Sequence, residues 1–235
     1  MLRIDVITIF PEIFKAVVKE SIIKRAQEKK KVLINIHDLR DYTLNRHKKV
    51  DDRPFGGGPG MVISPIPIFK AIKKIKARSK VAKVILLTPQ GEKFNQKKAQ
   101  LLSTEKRLIF VCPHYEGIDE RVRQELVDEE ISIGDYILTG GELPALIVMD
   151  SVIRLLSGVL GDEDSIKSES FEGNLLEYPH YTRPANFKGL NVPKVLLSGD
   201  HKKIESWRKQ RAIARTRNKR VDLYNKYLKD NKNKK

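Results

Sequence analysis

The chain has 235 residues, a single cysteine and a formal net charge of +16 at pH 7. A single cysteine excludes an intrachain disulfide and a metal site built from clustered cysteines, and we expect Cys112 to be reduced in the cytoplasm. No apolar run reaches the roughly 18–20 residues of a membrane span, so the composition favours a globular protein, and its charge favours a polyanionic partner.

Basic residues are concentrated at the C-terminal end of the chain. Residues 201–235 contain 14 lysines and arginines but only three acidic residues, Glu205, Asp222 and Asp230. This concentration favours nucleic acid over membrane as the partner. A solvated basic tail accounts for residues 229–235 and less well for the patterned stretch before them.

The N-terminal sequence predicts a strand followed by a helix. Residues 2–10 are mostly apolar, and because Asp5 interrupts them and no cleavage site follows, they predict a strand rather than a signal peptide. Pro11 can open a helix, and apolar residues at helical spacing from Ile13 to Ala26 predict one. Further elements are predicted in alternation, with strands at 32–39, 81–88, 108–111 and 131–138 and helices at 66–75, 95–103 and 118–128. Such alternation predicts an α/β fold with a mostly parallel, helix-covered sheet.

Residues 56–60 belong to a glycine-rich loop. No Gly-Lys-Ser/Thr follows, which excludes a Walker loop, and Met61 replaces the last glycine of the dinucleotide-binding pattern. Four glycines and two prolines in residues 54–60 indicate unusual φ angles and close backbone approach. The loop is either a tight structural turn or a substrate-contacting segment.

Three strand-like runs each end in a short loop rich in glycine, proline and small polar residues. These loops are residues 88–91, 112–117 and 139–142. Each alone is consistent with an ordinary turn. Because ligands of open α/β sheets bind beyond the carboxyl ends of the strands, the three loops together predict a pocket built largely from backbone. Without a Walker loop or a basic strand end, the pocket suits a nucleoside-like ligand better than a phosphate.

Residues 144–160 predict a helix that is apolar around nearly its whole circumference. Such a helix is buried in a core or against another subunit. Its polar members, Asp150 and Arg154, are four residues apart on one face. Arg154 either pairs with Asp150 or points into a site, where a guanidinium stabilises developing negative charge.

An acidic, polar stretch at residues 161–170 predicts a flexible linker, followed by a small basic helical domain. Asp200 and Asp222 are candidate N-caps of its two helices. Residues 179–184 interleave basic, aromatic and stiff residues, which suits stacking on single-stranded RNA but is equally consistent with a proline-rich loop. Glu116 and Glu169 are candidate general bases or ordinary surface carboxylates.

These motifs together resemble the bacterial tRNA (guanine-N1)-methyltransferases, the TrmD family. The resemblance extends from Asp5 to about Arg217. It is carried by residues 5–11, 51–61, 88–91, 115–117, 133–136, 140–144, 179–184 and 196–199. Several long motifs in one order are far more specific than any one of them.

The resemblance implies a SPOUT-type α/β fold whose cofactor loops form a deep trefoil knot, followed by a small helical C-terminal domain. It implies an S-adenosylmethionine-binding domain at 1–160, a linker at 161–170 and a tRNA-binding domain at 171–235. It further implies a homodimer with active sites at the subunit interface and methylation of the N1 atom of guanine 37 in tRNA that also has guanine at position 36. Magnesium dependence is a family property that the residues themselves do not indicate.

Residue roles also follow from the resemblance. Glu169 would be the base and Arg154 the charge stabiliser, and no metal ligand is predicted. Residues expected to contact tRNA are Gly58, Pro59, His180, Arg183, Arg208 and Arg215. Residues expected to bind the cofactor are Leu87, Thr88, Pro89, Gln90, Gly91, Pro113, Tyr115, Glu116, Gly117, Ile133, Gly134, Tyr136, Leu138, Gly140, Gly141 and Pro144.

Two residues depart from the family pattern. Glu169 stands where the family usually has aspartate, and it keeps the charge while reaching one methylene further. Pro113 follows the cysteine where the family commonly has glycine, and it removes a backbone N–H beside the cofactor loops. Two alternatives are a non-catalytic RNA-binding protein and a SPOUT methyltransferase that acts on another RNA position.

Overall fold

The computed structural model describes residues 1–77, 81–161 and 169–232. The chain divides into two compact units, Met1–Gly161 and Asp162–Lys235. Of the predicted flexible linker, residues 162–168 lie outside the described residues, as do residues 233–235 of the basic tail. None of the described helices is both long and apolar enough to cross a membrane.

A five-stranded, entirely parallel sheet organises the first unit, as the alternating pattern predicts. Its strand order is β2-β1-β6-β5-β7, and the remaining two strands pair as a short antiparallel ladder. The strands are β1 Leu2–Thr8, β2 Val32–Asp38, β3 Asp51–Asp52, β4 Val62–Ile63, β5 Lys83–Lys93, β6 Arg107–Val111 and β7 Glu129–Ser132. The helices are α1 Pro11–Val17, α2 Ser21–Glu28, α3 Pro65–Lys76, α4 Gln96–Ser103, α5 Glu120–Leu126 and α6 Glu142–Ile153, with a 3-10 helix at Leu39–Tyr42.

Two apolar cores form the two faces of this sheet. Every residue of β6 is buried, and its last four residues are all apolar because a parallel strand is covered on both faces. Leu108 and Phe110 point into the core that contains α1, α2, α4 and α6. Ile109 and Val111 point into the opposite core, which contains α3 and α5.

Strand β5 does not end at its predicted loop. Leu87 and Glu92 both pair with Ile131, so residues 88–91 leave the ladder as a bulge and the strand then resumes. Gly91 is required within this bulge, because a Cβ there would lie 2.4 Å from the Glu130 carbonyl carbon. The predicted strand at 131–138 is also shorter than expected and ends at Ser132, before Gly134 with its φ of +149°.

Two helix predictions need correction. The helix predicted through Ala26 is two helices, α1 and α2, separated near Ser21, whose φ is +48°. The helix predicted at 144–160 begins at Glu142 and ends at Ile153, after which the chain forms turns. Helix α6 is also not covered on every side, because Leu143 and Ile147 are 54% and 46% exposed.

A charged network is buried between β1, β2 and β6. Asp5, only 1% exposed, accepts hydrogen bonds from Arg107 Nε at 2.8 Å and Asn35 Nδ2 at 3.1 Å, and its Oδ1 lies 2.8 Å from His37 Nε2. Burial raises the pKa of the Asp5 carboxyl, but the hydrogen bonds from His37 and Arg107 outweigh it and leave the pKa below its usual value.

The second unit contains two long helices, α7 His201–Lys219 and α8 Val221–Lys232. Asp200 caps α7 as predicted, accepting a hydrogen bond from the Lys203 backbone N–H at 3.1 Å. Asp222 is not the cap of α8: it lies in the first turn, where the Arg220 guanidinium lowers the pKa of its carboxyl to about 2. The remaining elements are the hairpin of β8 Asn186–Phe187 and β9 Leu190–Asn191 and the 3-10 helices Glu172–Asn174 and Lys194–Leu197.

Candidate functional site

The loops after β6 and β7 and the bulge of β5 converge on one cavity of about 430 Å³. This volume lies within the range of small-molecule sites. All but two of the predicted cofactor residues line the cavity: Leu87, Thr88, Pro89, Gln90, Pro113, Tyr115, Glu116, Gly117, Ile133, Gly134, Tyr136, Leu138, Gly140 and Pro144. His114 and Arg123 also line it and were not among the predicted cofactor residues; His114 lies in the predicted loop at 112–117, whereas Arg123 carries no local sequence signal that would have identified it.

The two remaining predicted residues, Gly91 and Gly141, shape the cavity wall from behind. Gly141 donates a backbone hydrogen bond to the Pro113 carbonyl at 2.8 Å. A Cβ at position 141 would lie 2.6 Å from Pro113 Cδ and 2.8 Å from Cys112 Cα. Because proline has no N–H, Pro113 can offer a ligand only its pyrrolidine ring or the second lone pair of its carbonyl oxygen.

Charged groups around the cavity are mostly paired with each other. Arg123 contacts Gln90 and forms ion pairs with Glu130 at 2.8 Å and Glu120 at 3.2 Å. Burial, with the nearby charge of Glu142, raises the pKa of the Cys112 thiol well above its usual value. Cys112 is therefore an uncharged, buried side chain behind the cavity.

The glycine-rich loop touches the cavity wall at one end. Glu116 donates a backbone hydrogen bond to the Met61 carbonyl at 3.0 Å, and a Cβ on Gly60 would lie 2.4 Å from the Glu116 carboxylate. The φ of Gly60 is +79°, a backbone conformation that favours glycine. Gly58, in contrast, has a φ of +118° and no atom within 4 Å of a built Cβ, and the neighbouring Pro59 is exposed.

The two predicted catalytic residues lie in different units. Arg154 is the C-cap of α6, with its backbone N–H 3.1 Å from the Asp150 carbonyl, and its side chain is partly buried. Glu169 begins the described part of the second unit, and its carbonyl accepts a hydrogen bond from the Glu172 backbone N–H at 3.3 Å. Asp150 is exposed on α6.

An aromatic and basic surface forms on the second unit. The Arg208 guanidinium lies 4.9 Å from the Tyr178 ring, which lies 4.7 Å from the His180 ring. Next to them, Arg211 lies 5.5 Å from the Trp207 ring. Interleaved cations and rings of this kind suit RNA bases and phosphates.

The four tRNA-contacting residues predicted in this unit have different surroundings. His180 and Arg208 belong to the aromatic and basic surface, and Arg183 is exposed. Arg215 instead donates a hydrogen bond to the Glu177 carbonyl at 3.0 Å, so it supports the backbone beneath that surface.

Comparisons with known proteins agree along nearly the whole chain. The family model described as tRNA (Guanine-1)-methyltransferase TrmD matches residues 2–226. Three similar proteins are each called tRNA (guanine-N(1)-)-methyltransferase. The protein from Carboxydothermus hydrogenoformans is 57% identical over 94% of this chain and 87% of its own length. Those from Geobacillus kaustophilus and Clostridioides difficile are each 54% identical over 96% of this chain, covering 93% and 98% of their own lengths.

Proposed function

The chain belongs to the TrmD family of tRNA (guanine-1)-methyltransferases, and we propose that it methylates the N1 atom of guanine 37, next to the anticodon of tRNA. Guanine-N1 methylation of tRNA is the activity of that family. The observation that carries the proposal within this chain is the convergence of three glycine- and proline-rich segments on one cavity. Acting on tRNA, the enzyme would work in the cytoplasm.

The cavity suits S-adenosylmethionine, the cofactor expected of such a methyltransferase. Leu87, Ile133 and Leu138 provide apolar surface for a purine, and the backbone of the three segments supplies polar groups. Arg123 is paired with two carboxylates, so its guanidinium is not available to a phosphate. Bound S-adenosylmethionine supplies a methyl group already activated by its sulfonium.

In this proposal the chain positions the guanine and handles its N1 proton. A carboxylate must take that proton as N1 becomes a nucleophile, and Glu169 is the proposed base. Negative charge then moves to the neighbouring oxo group of guanine, where the Arg154 guanidinium stabilises it. Walls that exclude water strengthen both interactions.

The proposed substrate is tRNA with guanine at positions 36 and 37. The aromatic and basic surface of the second unit supports this, since 14 of the chain's lysines and arginines lie in residues 201–235. In the first unit, exposed Gly58 and Pro59 lead into the Gly60–Glu116 contact at the cavity wall. We assign these two residues to contacts with the anticodon arm.

We further propose a SPOUT-type trefoil knot and a homodimer. The knot is supported by the way the β5 bulge and the two following loops crowd together around the cavity. The homodimer is supported by exposed apolar side chains on α1 and α6. These two helices pack against each other. The exposed side chains are Ile13, Val17, Leu143 and Ile147. A second copy would cover this surface and bring an active site to the interface.

A magnesium ion held by the protein itself would need a cluster of ligating side chains. Within residues 1–77, 81–161 and 169–232, no group of three or more histidine, cysteine, aspartate or glutamate side chains could hold a metal ion. No step of the proposed chemistry passes through a metal ion.

Calorimetric titration with S-adenosylmethionine tests the proposal against its main rival, a non-catalytic RNA-binding protein. The proposal predicts saturable binding at one site per chain. The rival predicts no heat of binding, together with RNA affinity that is indifferent to substitution of Arg154. Salt dependence of RNA binding cannot separate the two, since both predict a steep loss of affinity with salt.

A further inference from the structure

His114 lines the cavity next to a buried carboxylate. Its ring lies edge-on to Phe10 and Tyr115, with centroids 4.8 and 5.1 Å away. Its Nδ1 lies 3.7 Å from Oε2 of Glu142, a residue that is only 4% exposed. The imidazole is therefore held between two aromatic rings with one nitrogen directed at Glu142.

Among the residues that the structure describes, one donor makes a hydrogen bond to the Glu142 carboxylate. Its Oε1 accepts the Thr8 hydroxyl at 2.9 Å, and Oε2 faces His114. A buried carboxylate with so few donors is costly unless an opposite charge lies next to it. His114 Nδ1 faces this carboxylate at 3.7 Å, and this buried nitrogen has no hydrogen-bond partner among the described residues.

Gly140 leaves the space in which these two side chains approach each other. A Cβ at position 140 would lie 2.3 Å from Glu142 Oε2 and 2.4 Å from His114 Nδ1. The backbone of Gly140 is also bridged to that of His114. The pair is therefore built into the loops that form the cavity.

His114 is also the basic side chain in the cavity lining that can contact a ligand. Of the residues lining the cavity, the other basic one is Arg123, whose charge Glu120 and Glu130 neutralise. The second ring nitrogen of His114, Nε2, has no partner among the described residues, and the side chain is 20% exposed. An anionic group of a bound ligand would find its donor there.

We propose that His114, paired through Nδ1 with Glu142, binds the carboxylate of S-adenosylmethionine through its Nε2–H. Glu142 is a positioning residue that acts through His114. The inference rests on the proposed function and adds the group that recognises the amino-acid end of the cofactor. A charge-assisted hydrogen bond of this kind contributes both affinity and orientation.

The test compares ligands that differ at the carboxylate. Calorimetry gives the dissociation constants of S-adenosylmethionine, of its decarboxylated analogue and of 5′-methylthioadenosine, which lacks the whole amino-acid part. The wild type is expected to prefer S-adenosylmethionine over the decarboxylated analogue by about tenfold. His114→Ala is expected to remove this preference and leave the affinity for methylthioadenosine unchanged, whereas His114→Arg is expected to retain it.

A second variant separates the charge of Glu142 from its packing. Glu142→Gln keeps an acceptor for Thr8 and is expected to lose most of the preference without changing the affinity for methylthioadenosine. His47→Ala, at an exposed histidine outside the cavity lining, serves as the control. Equal weakening of all three ligands in His114→Ala would show that the ring only shapes the cavity, and would overturn the inference.

An RNA phosphate is the other anion that His114 could bind. Measuring tRNA binding without cofactor distinguishes it from the cofactor carboxylate. Weaker tRNA binding by His114→Ala, with its ligand preference unchanged, would overturn the carboxylate assignment. A wild type that binds S-adenosylmethionine without any preference for the carboxylate contradicts this inference alone. A wild type that binds no S-adenosylmethionine contradicts the proposed function as well.

Discussion

Glu169 carries the proton transfer in the proposed chemistry. Glu169→Ala is expected to lower the rate of methyl transfer at least about 100-fold, because a positioned general base contributes a factor of that order or more. Single-turnover kinetics with labelled cofactor measures the rate, and calorimetry should show nearly unchanged cofactor binding. Glu169→Asp should retain activity and Glu172→Ala, an exposed neighbour, should behave as wild type. Wild-type turnover by Glu169→Ala would refute the assignment.

We expect the free energy of unfolding to depend on pH through the titration of Asp5. Asp5→Asn leaves the Arg107 charge buried without its partner, so we expect a loss of about 3 kcal/mol in the free energy of unfolding at pH 7. Because the folded pKa of Asp5 lies below its usual value of 3.8, its contribution is complete above that pH and is lost as the pH falls through the folded pKa.

Urea unfolding of the wild type and Asp5→Asn at pH 7, 5 and 3 checks this expectation. The gap between the two proteins should be constant from pH 7 to 5 and smaller at pH 3. The exposed Asp41→Asn is the control and should change stability little, since surface ion pairs contribute about 0–1 kcal/mol. A gap that widens at low pH would contradict the assigned direction.

Among single residues, the sequence best predicts those whose role depends on backbone conformation. Glycine marks the three segments because only glycine tolerates the φ angle seen at Gly134 and the close approach seen at Gly141. Such reasoning places His114 in a predicted loop but does not reveal its approach to Glu142. It misses Arg123, whose partner Glu130 lies on another element. The importance of Glu169 likewise comes from family resemblance and not from its local sequence.

Among the elements, the wall made by residues 140–142 offers a direct test of the cavity. Gly141→Ala would place a Cβ 2.6 Å from Pro113 Cδ and 2.8 Å from Cys112 Cα, so the wall must shift. We expect calorimetry to show at least about tenfold weaker cofactor binding, in line with the usual cost of overpacking. Gly161→Ala, which meets no atom within 4 Å, should bind normally. Unchanged affinity in Gly141→Ala would contradict the placement of the cofactor.

The sequence predicted the type of most helices and strands correctly, but their bounds less well. Hydrophobic patterns identified the parallel strands and most helices, since burial on both faces produces apolar runs such as Leu108–Val111 in β6. They did not reveal that β5 resumes after its bulge, because the return of Glu92 to Ile131 is a long-range pairing. They also merged α1 with α2, whose apolar residues continue one helical spacing across a break near Ser21.

For the whole molecule, the exposed apolar side chains of α6 predict self-association. The double substitution Leu143→Lys and Ile147→Lys places two charges on this surface and is expected to convert a dimer to monomers. Sedimentation velocity measures the change. Leu44→Lys, at a leucine that is 87% exposed elsewhere in the first unit, is the control and should remain dimeric. A wild type that sediments as a monomer would contradict the proposed homodimer.

The assembly of the whole enzyme is the level least accessible to sequence patterns. Composition indicates a basic second unit, and the α/β pattern indicates where a ligand binds in the first. The roles proposed for Arg154 and Glu169 at one guanine would require segments that are distant in the sequence to act together, which no periodicity encodes. That proposal depends on the succession of long family motifs.

Transfer of label to defined tRNA transcripts tests the central claim most directly. The protein is incubated with methyl-labelled S-adenosylmethionine, magnesium and an unmodified transcript carrying guanine at positions 36 and 37, in parallel with one carrying adenine at 37. We predict label in the first transcript alone, at the N1 atom of guanine 37. Label in both transcripts, at another atom, or in neither despite measurable cofactor binding would contradict the account.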